Sequence, residues 1–223
     1  FVDSGSVVEY IDEQESQASF EYIDSSMSED SAMTSFGEAM SLGNGYAVAM
    51  YGGRSVVVSL RRVRERILYE ELLRGMNAGA APTQRMFFAE TLTLSNEEYA
   101  LMEQHAAEFS ALGFEIEYRD GGEIAIEGRP ALIDMTIPLD QLIYDMLHSI
   151  SDGISALQCG RERLADIMAR RGSAGYGRNV SSAEVVELLQ RLQRCENYNF
   201  TPSGNPIMAE LSLEEIRSKL SKS

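Results

Sequence analysis

The sequence predicts a mixed α/β fold of the α+β kind. Three observations carry that reading. There are two hairpin signals, at Gly52-Gly53 and at Asp120-Gly121-Gly122. There are three Ser–Glu capping boxes. And apolar strand runs alternate with segments of helical period. The 223 residues suffice for one large domain or two small ones.

Residues 1–41 read as an acidic, flexible linker. They carry ten acids and no Lys or Arg, and Ser, Glu and Asp dominate them. SVVEYI and SFEYI are the two bits with strand composition. The ordered part begins near Leu42. GYAVAMY (45–51) and SVVVS (55–59) flank the Gly52-Gly53 turn and form a hairpin. Both strands are apolar on both faces, so both faces need cover. Helices supply one cover, and a partner chain is the natural source of the other.

The helix over 59–74 follows. Ser59 has N-cap chemistry, Gly75 closes the helix, and Val63, Ile67, Leu68, Leu72 and Leu73 keep the helical period. Arg61, Arg62, Arg64 and Arg66 crowd its first turns, where the helix dipole favours acids instead. The small-residue linker NAGAAPT leads to the strand RMFFAETLTL. Ser95 and Glu98 then open a helix with Tyr99, Met102, Ala106 and Phe109 on one face. FEIEY and EIAIEG form the second hairpin. Helix 139–150 turns Leu142, Ile143, Met146 and Leu147 inward, and helix 157–171 turns Leu164, Ile167 and Met168 inward.

After the glycine-broken loop GSAGYGRN, Ser181 and Glu184 open a helix with Val185, Leu188, Leu189 and Leu192. The loop CENYNFTPSGNP leads to the strand IMAEL, and Ser212 with Glu215 starts the last helix. The order is a ββα unit, an αββα insert and a helical return.

Charge and composition exclude several classes. The net charge is −16, and outside residues 1–41 there remain 25 acids against 19 bases. Neither part has the clustered cations of an autonomous DNA binder. No apolar run approaches the ~20 residues of a membrane span. The chain opens without an initiator Met or signal-peptide pattern, which is read as a piece of a longer protein. Cys159 and Cys195 fit a reducing compartment and read as core thiols. His105 reads as a surface helix residue and His148 as a capping or partly buried one. EQHAAEF (103–109) sits mid-helix, with spacing wrong for a metal motif. No Ser/His/Asp or Cys/His arrangement has sequence support.

Three stretches resemble the C-terminal dimerisation region of the MutL family of DNA mismatch-repair proteins, in a Bacteroidetes-like variant. RERILYEELL (64–73) follows a strand, as the family's helix does after its Asp-Gln-His-Ala segment. Residues 90–131, with the phrase Leu-Gly-Phe-Glu-Ile, look like the family's inserted subdomain. Residues 177–216 match the closing helix, loop, strand and helix. The resemblance implies a two-subdomain fold. An outer dimerisation subdomain covers 42–82 and 152–223, and a regulatory subdomain, 83–151, is inserted between its halves. It also implies a homodimer, and the apolar alternation of the first two strands assigns Tyr46, Val48, Met50, Val56 and Val58 to its interface. The resemblance places the closing strand, with Ile207 and Met208, beside these.

Many members of the family bind zinc or manganese and nick DNA. Laid on their motifs, this chain has Ser59 for the Asp and Arg61 for the His, while Glu65 and Glu70 remain. Arg170 stands for a Cys, and Thr201 and Ser203 for the Cys and His of the last motif. This is a degenerate former metal site, and no metal or other cofactor is expected. Two readings of the arginines stay open: guanidinium groups, Arg61 and Arg170 among them, standing where relatives hold a cation, or a solvated basic surface.

QRMFF (84–88) resembles the peptide that bacterial proteins insert into the sliding clamp. Gln84 would bond at the pocket rim, and Met86, Phe87 and Phe88 would supply the apolar part. Its competing reading is an ordinary strand with both Phe residues in the core. The leading expectation is therefore a non-enzymatic dimerisation and docking module. In the full-length protein it would be joined to an ATPase domain, with MutS and the repair machinery as partners, in the bacterial cytoplasm. No glycine-rich ATP site is present here. The alternatives are a divergent metal-dependent endonuclease and a generic acidic regulatory domain.

Overall fold

The computed structural model describes residues 35–79, 81–151 and 157–221. The linker reading of residues 1–34, with SVVEYI and SFEYI, lies outside them, as does the side chain of Cys159. Among the described residues, seven helices and two antiparallel sheets make the mixed α/β architecture.

The first sheet has the order β1-β2-β3-β7, from β1 (Phe36–Gly43), β2 (Tyr46–Tyr51), β3 (Arg54–Ser59) and β7 (Met208–Glu210). β1 is a difference from the sequence reading, which ran the linker to residue 41. It lies at the end of the acidic, Ser-rich stretch, and pairing with β2 and packing of Phe36 and Ala39 on the first core stabilise it. The β2–β3 turn is the expected one. Gly52 and Gly53 take φ of 54° and 78°, the left-handed pair of a two-residue hairpin turn, and Tyr51 pairs with Arg54.

The second sheet, β4-β6-β5, comprises β4 (Thr83–Thr93), β5 (Glu115–Tyr118) and β6 (Glu123–Pro130). Around it lie α2 (Asn96–Gln104), α3 (Ala106–Ala111) and α4 (Leu139–Ser151). The single helix expected after Ser95 is two, broken at His105, which takes φ −105° and ψ 18°. All three capping boxes form, with each Ser side chain accepting from the Glu backbone N–H three residues on.

Two cores result. One lies between the first sheet, α1 (Leu60–Asn77) and α6 (Ser182–Leu192), and includes Ala47, Val56, Val58, Val63, Ile67, Val185 and Leu189. The other includes Met102, Phe109, Ile124, Ile126, Leu142 and Met146. α1 serves both, because Leu72 and Met76 belong to the second core. It does not stop at Gly75 as expected. It runs to Asn77, and Gly75 stays inside because a Cβ there would lie 3.0 Å from that of Ala81. α5 (Leu157–Ser173) gives Leu164, Ala165, Ile167 and Met168 to the second core, against the far half of α1. α7 (Leu213–Leu220) closes the described chain.

Candidate functional site

The crowding of arginines at the start of α1 has a local answer. Ser59 makes no side-chain cap. Instead its backbone N–H donates to the Ile207 carbonyl (3.0 Å), and that of Leu60 donates to the Gly45 carbonyl (2.8 Å). With these two N–H groups already paired, the arginines are used sideways. Arg62 donates to the Pro206 carbonyl at 2.7 Å. Arg64 lies over the Tyr176 ring at 5.6 Å. Arg66 pairs with Glu70 at 2.8 Å and lies over Tyr69 at 5.5 Å. Arg61 reaches Glu65 at 3.9 Å and stays half-exposed.

The two α1 carboxylates, Glu65 and Glu70, differ sharply. Glu70 is a structural acceptor. Besides Arg66, it takes the backbone N–H of Glu196 (2.9 Å) and that of Asn197 (3.3 Å), so it ties α1 to the loop after α6. Glu65 is 2% exposed and its ion pair with Arg61 is long. Burial raises its carboxyl above the usual range, Arg61 opposes that, the neighbouring Asp166 raises it further and Arg170 lowers it.

Asp166, on α5, is a member of this cluster that sequence reading missed. It pairs with Arg170 at 2.9 Å, burial raises its carboxyl, and its Oδ1 is buried without a hydrogen bond. The i,i+4 spacing of Asp166 and Arg170 was its only sequence signal. Arg61–Glu65 and Asp166–Arg170 thus form two carboxylate–guanidinium pairs, one on each helix.

Thr201 is buried, and its hydroxyl lies 3.3 Å from the Ser203 hydroxyl and accepts from the Asn205 N–H at 3.1 Å. Ser59, Arg61, Arg170, Thr201 and Ser203 offer hydroxyls and cations where a zinc or manganese ion needs thiolate, imidazole or carboxylate. Among the described residues no three His, Cys, Asp or Glu side chains converge. The residues present do not fit such an ion. His105 is half-buried at the α2–α3 break, 3.9 Å from Glu108, and His148 is exposed. The Cys195 thiol is buried and its pKa is pushed up to about 12 by that burial.

In QRMFF, Phe87 and Phe88 stand at 102% and 88% exposure, so the core-strand reading of both rings does not hold. The cause is a register shift between Arg85 and Glu90, which breaks the alternation of β4 against β6. Gln84 is exposed as well. Met86 corrects the expectation of an outward anchor: it is half-buried and packs on the second core.

The first sheet has one open face. The row Met40–Val48–Val57–Ala209 crosses all four strands, and Tyr46 and Met50 lie beside it. Met40, Tyr46 and Met50 are 58%, 52% and 39% exposed. Val56, Val58, Ile207 and Met208 are a correction. They are buried in the first core with α1 and α6, not on the open face. The two-residue turn is the reason. It pairs Val48 with Val57, so even-numbered residues of β2 share a face with odd-numbered residues of β3.

Comparison with known proteins places this architecture. Residues 40–180 match the family described as the MutL C-terminal dimerisation domain. The chain is 28% identical over 190 residues to the DNA mismatch repair protein MutL of Bacteroides fragilis (strain YCH46), covering 81% of this chain and 30% of that protein. It is also 28% identical to the MutL proteins of Agrobacterium fabrum (77% of this chain, 28% of that protein) and Christiangramia forsetii (78% and 28%). The chain spans less than a third of the length of these curated relatives. The family match takes in the second half of β1, then β2, β3, α1, the whole second sheet and α5, and on that ground the chain belongs to the MutL C-terminal dimerisation domain family.

Proposed function

We propose that this chain is a homodimerisation and partner-docking module of a DNA mismatch-repair MutL protein, without nuclease activity of its own. The observation that carries the reading is the open face of the first sheet, a contiguous apolar row that none of the described residues covers. Soluble proteins rarely leave such a patch bare, and a two-fold dimer is the default way to bury one. The dimerisation subdomain of this reading is 42–82 with 152–223, which includes the first sheet from residue 42 on, and the inserted regulatory subdomain is 83–151, which holds the second sheet. The dimer would bring two ATPase domains of the full-length protein together in the bacterial cytoplasm, where MutS and other repair proteins dock. Light scattering over a concentration range tests the assembly. A mass near 24.7 kDa at tens of micromolar contradicts it.

The absence of nuclease activity rests on the ill-fitting donor set. The expected result is no manganese- or zinc-dependent nicking of supercoiled plasmid, since no ion is held to activate water. Nicking that Glu65→Lys abolishes would restore the endonuclease reading.

Sliding-clamp docking rests on the outward rings of Phe87 and Phe88 beside exposed Gln84. Gln84→Ala with Phe88→Ala should weaken clamp binding about tenfold or more, the scale of one apolar anchor and its rim contact. The melting temperature should hold, because neither side chain supports the core. Wild-type clamp affinity in the double variant removes the peptide from the reading.

A further inference from the structure

Among the described residues α7 is a well-formed helix with little to hold it. Its capping box is complete, with Ser212 accepting from the Glu215 N–H at 3.1 Å. Acids Glu214 and Glu215 occupy its first turn, and Arg217 and Lys219 its last. Yet none of its residues is buried. Leu213 and Leu220 are 69% and 77% exposed, and Ile216, half-buried, lies between them at helical spacing. Eight residues are too few for a helix to be stable by itself in water.

The helix also stands at a particular place. A groove of about 360 Å³ separates it from the first sheet, and its walls include Tyr46, Val57 and Ala209 from the open face and Glu215 and Lys219 from α7. The helix is therefore continuous with the proposed dimer face.

The open face alone is too small. Four strands about 4.8 Å apart, with the longer ones running about 20 Å and β7 half that, give a footprint of roughly 350 Å². A stable dimer buries about 800 Å² per partner. The adjoining apolar surface that can make up the difference is the exposed stripe of α7.

We propose that α7 is a clasp, its Leu213–Ile216–Leu220 stripe packing on the second copy of the chain beside the open sheet face. This rests on the homodimer reading and names the element that completes it. Charge supports the second copy as the occupant. A two-fold axis perpendicular to α7 makes the two copies of the helix antiparallel, which sets Glu214 and Glu215 of each against the basic last turn of the other.

The test is sedimentation equilibrium of the 223-residue chain, with Leu213→Asp and Leu220→Asp combined. Both side chains are exposed, so the fold should stay intact by circular dichroism while the dimer dissociation constant rises at least tenfold. Hydrogen exchange gives a second reading. The amides of residues 215–220 should be protected in the wild-type dimer and lose protection in a Val48→Glu monomer. A dimer constant within twofold of wild type, or α7 exchange that is the same in monomer and dimer, overturns the clasp. If Val48→Glu still yields monomers in that case, the sheet-face dimer stands without it. A wild-type chain that is itself monomeric at tens of micromolar removes both.

Discussion

Val48→Glu is expected to turn the dimer into a folded monomer. Val48 sits mid-row on the open face, paired with Met40 on one side and Val57 on the other. Two-fold symmetry puts the new carboxylate into the interface twice. An unpaired charge taken out of water costs several kcal/mol, so the dimer constant should rise about a thousandfold or more. The protomer should survive, because the substituted side chain points away from its core.

Val58→Glu is the matched control. Val58 is fully buried beneath α1 and α6, and a carboxylate there should unfold the protomer. Light scattering with thermal melts separates the two. A Val48→Glu dimer at tens of micromolar would show that the open face is not the contact. A well-folded Val58→Glu monomer would show that the two sheet faces have been assigned the wrong way round.

Glu70→Ala is expected to be the most destabilising change among Arg61, Glu65, Glu70 and Arg170. It strips the buried Arg66 of its carboxylate and leaves the N–H groups of Glu196 and Asn197 without an acceptor. Breaking a buried pair in this way costs about 3 kcal/mol or more. In a chain of this size that lowers the melting temperature by roughly 6–12 °C.

Glu65→Gln should do the reverse. Glu65 is buried with no hydrogen bond and a single long ion pair, so removing its charge should be neutral or stabilising. Replacing both Arg61 and Arg170 by Ala should lower melting by less than Glu70→Ala does, since both arginines are half-exposed. Thermal melts of the three variants check the order. A Glu70→Ala loss below 1 kcal/mol would mean that the loop does not depend on this carboxylate. Unchanged melting of the double arginine variant would mark that pair as solvated surface.

The sequence alone determined whatever depends on neighbours a few residues apart. The capping boxes at Ser95, Ser181 and Ser212 form as their spacing requires, because a capping box closes over one helical turn. The Gly52-Gly53 hairpin forms because only residues tolerant of positive φ make that turn. That Arg61, Arg170, Thr201 and Ser203 carry no thiol, imidazole or carboxylate is likewise plain in the letters.

Tertiary structure decided what depends on pairing at a distance. The apolar strands β2 and β3 look alike from both sides until the register at Tyr51 and Arg54 sends Val56 and Val58 inward and Val57 outward. β1 exists because β2 offers it an edge and the first core takes Phe36 and Ala39. Phe87 and Phe88 point outward because β4 slips register against β6, a strand about 40 residues away. Glu65 and Asp166 came into one cluster only when α5 packed along α1. Side-chain direction in a sheet has period two, so one residue of slip exchanges core for surface. That slip is set by partners far along the chain, which local spacing does not encode.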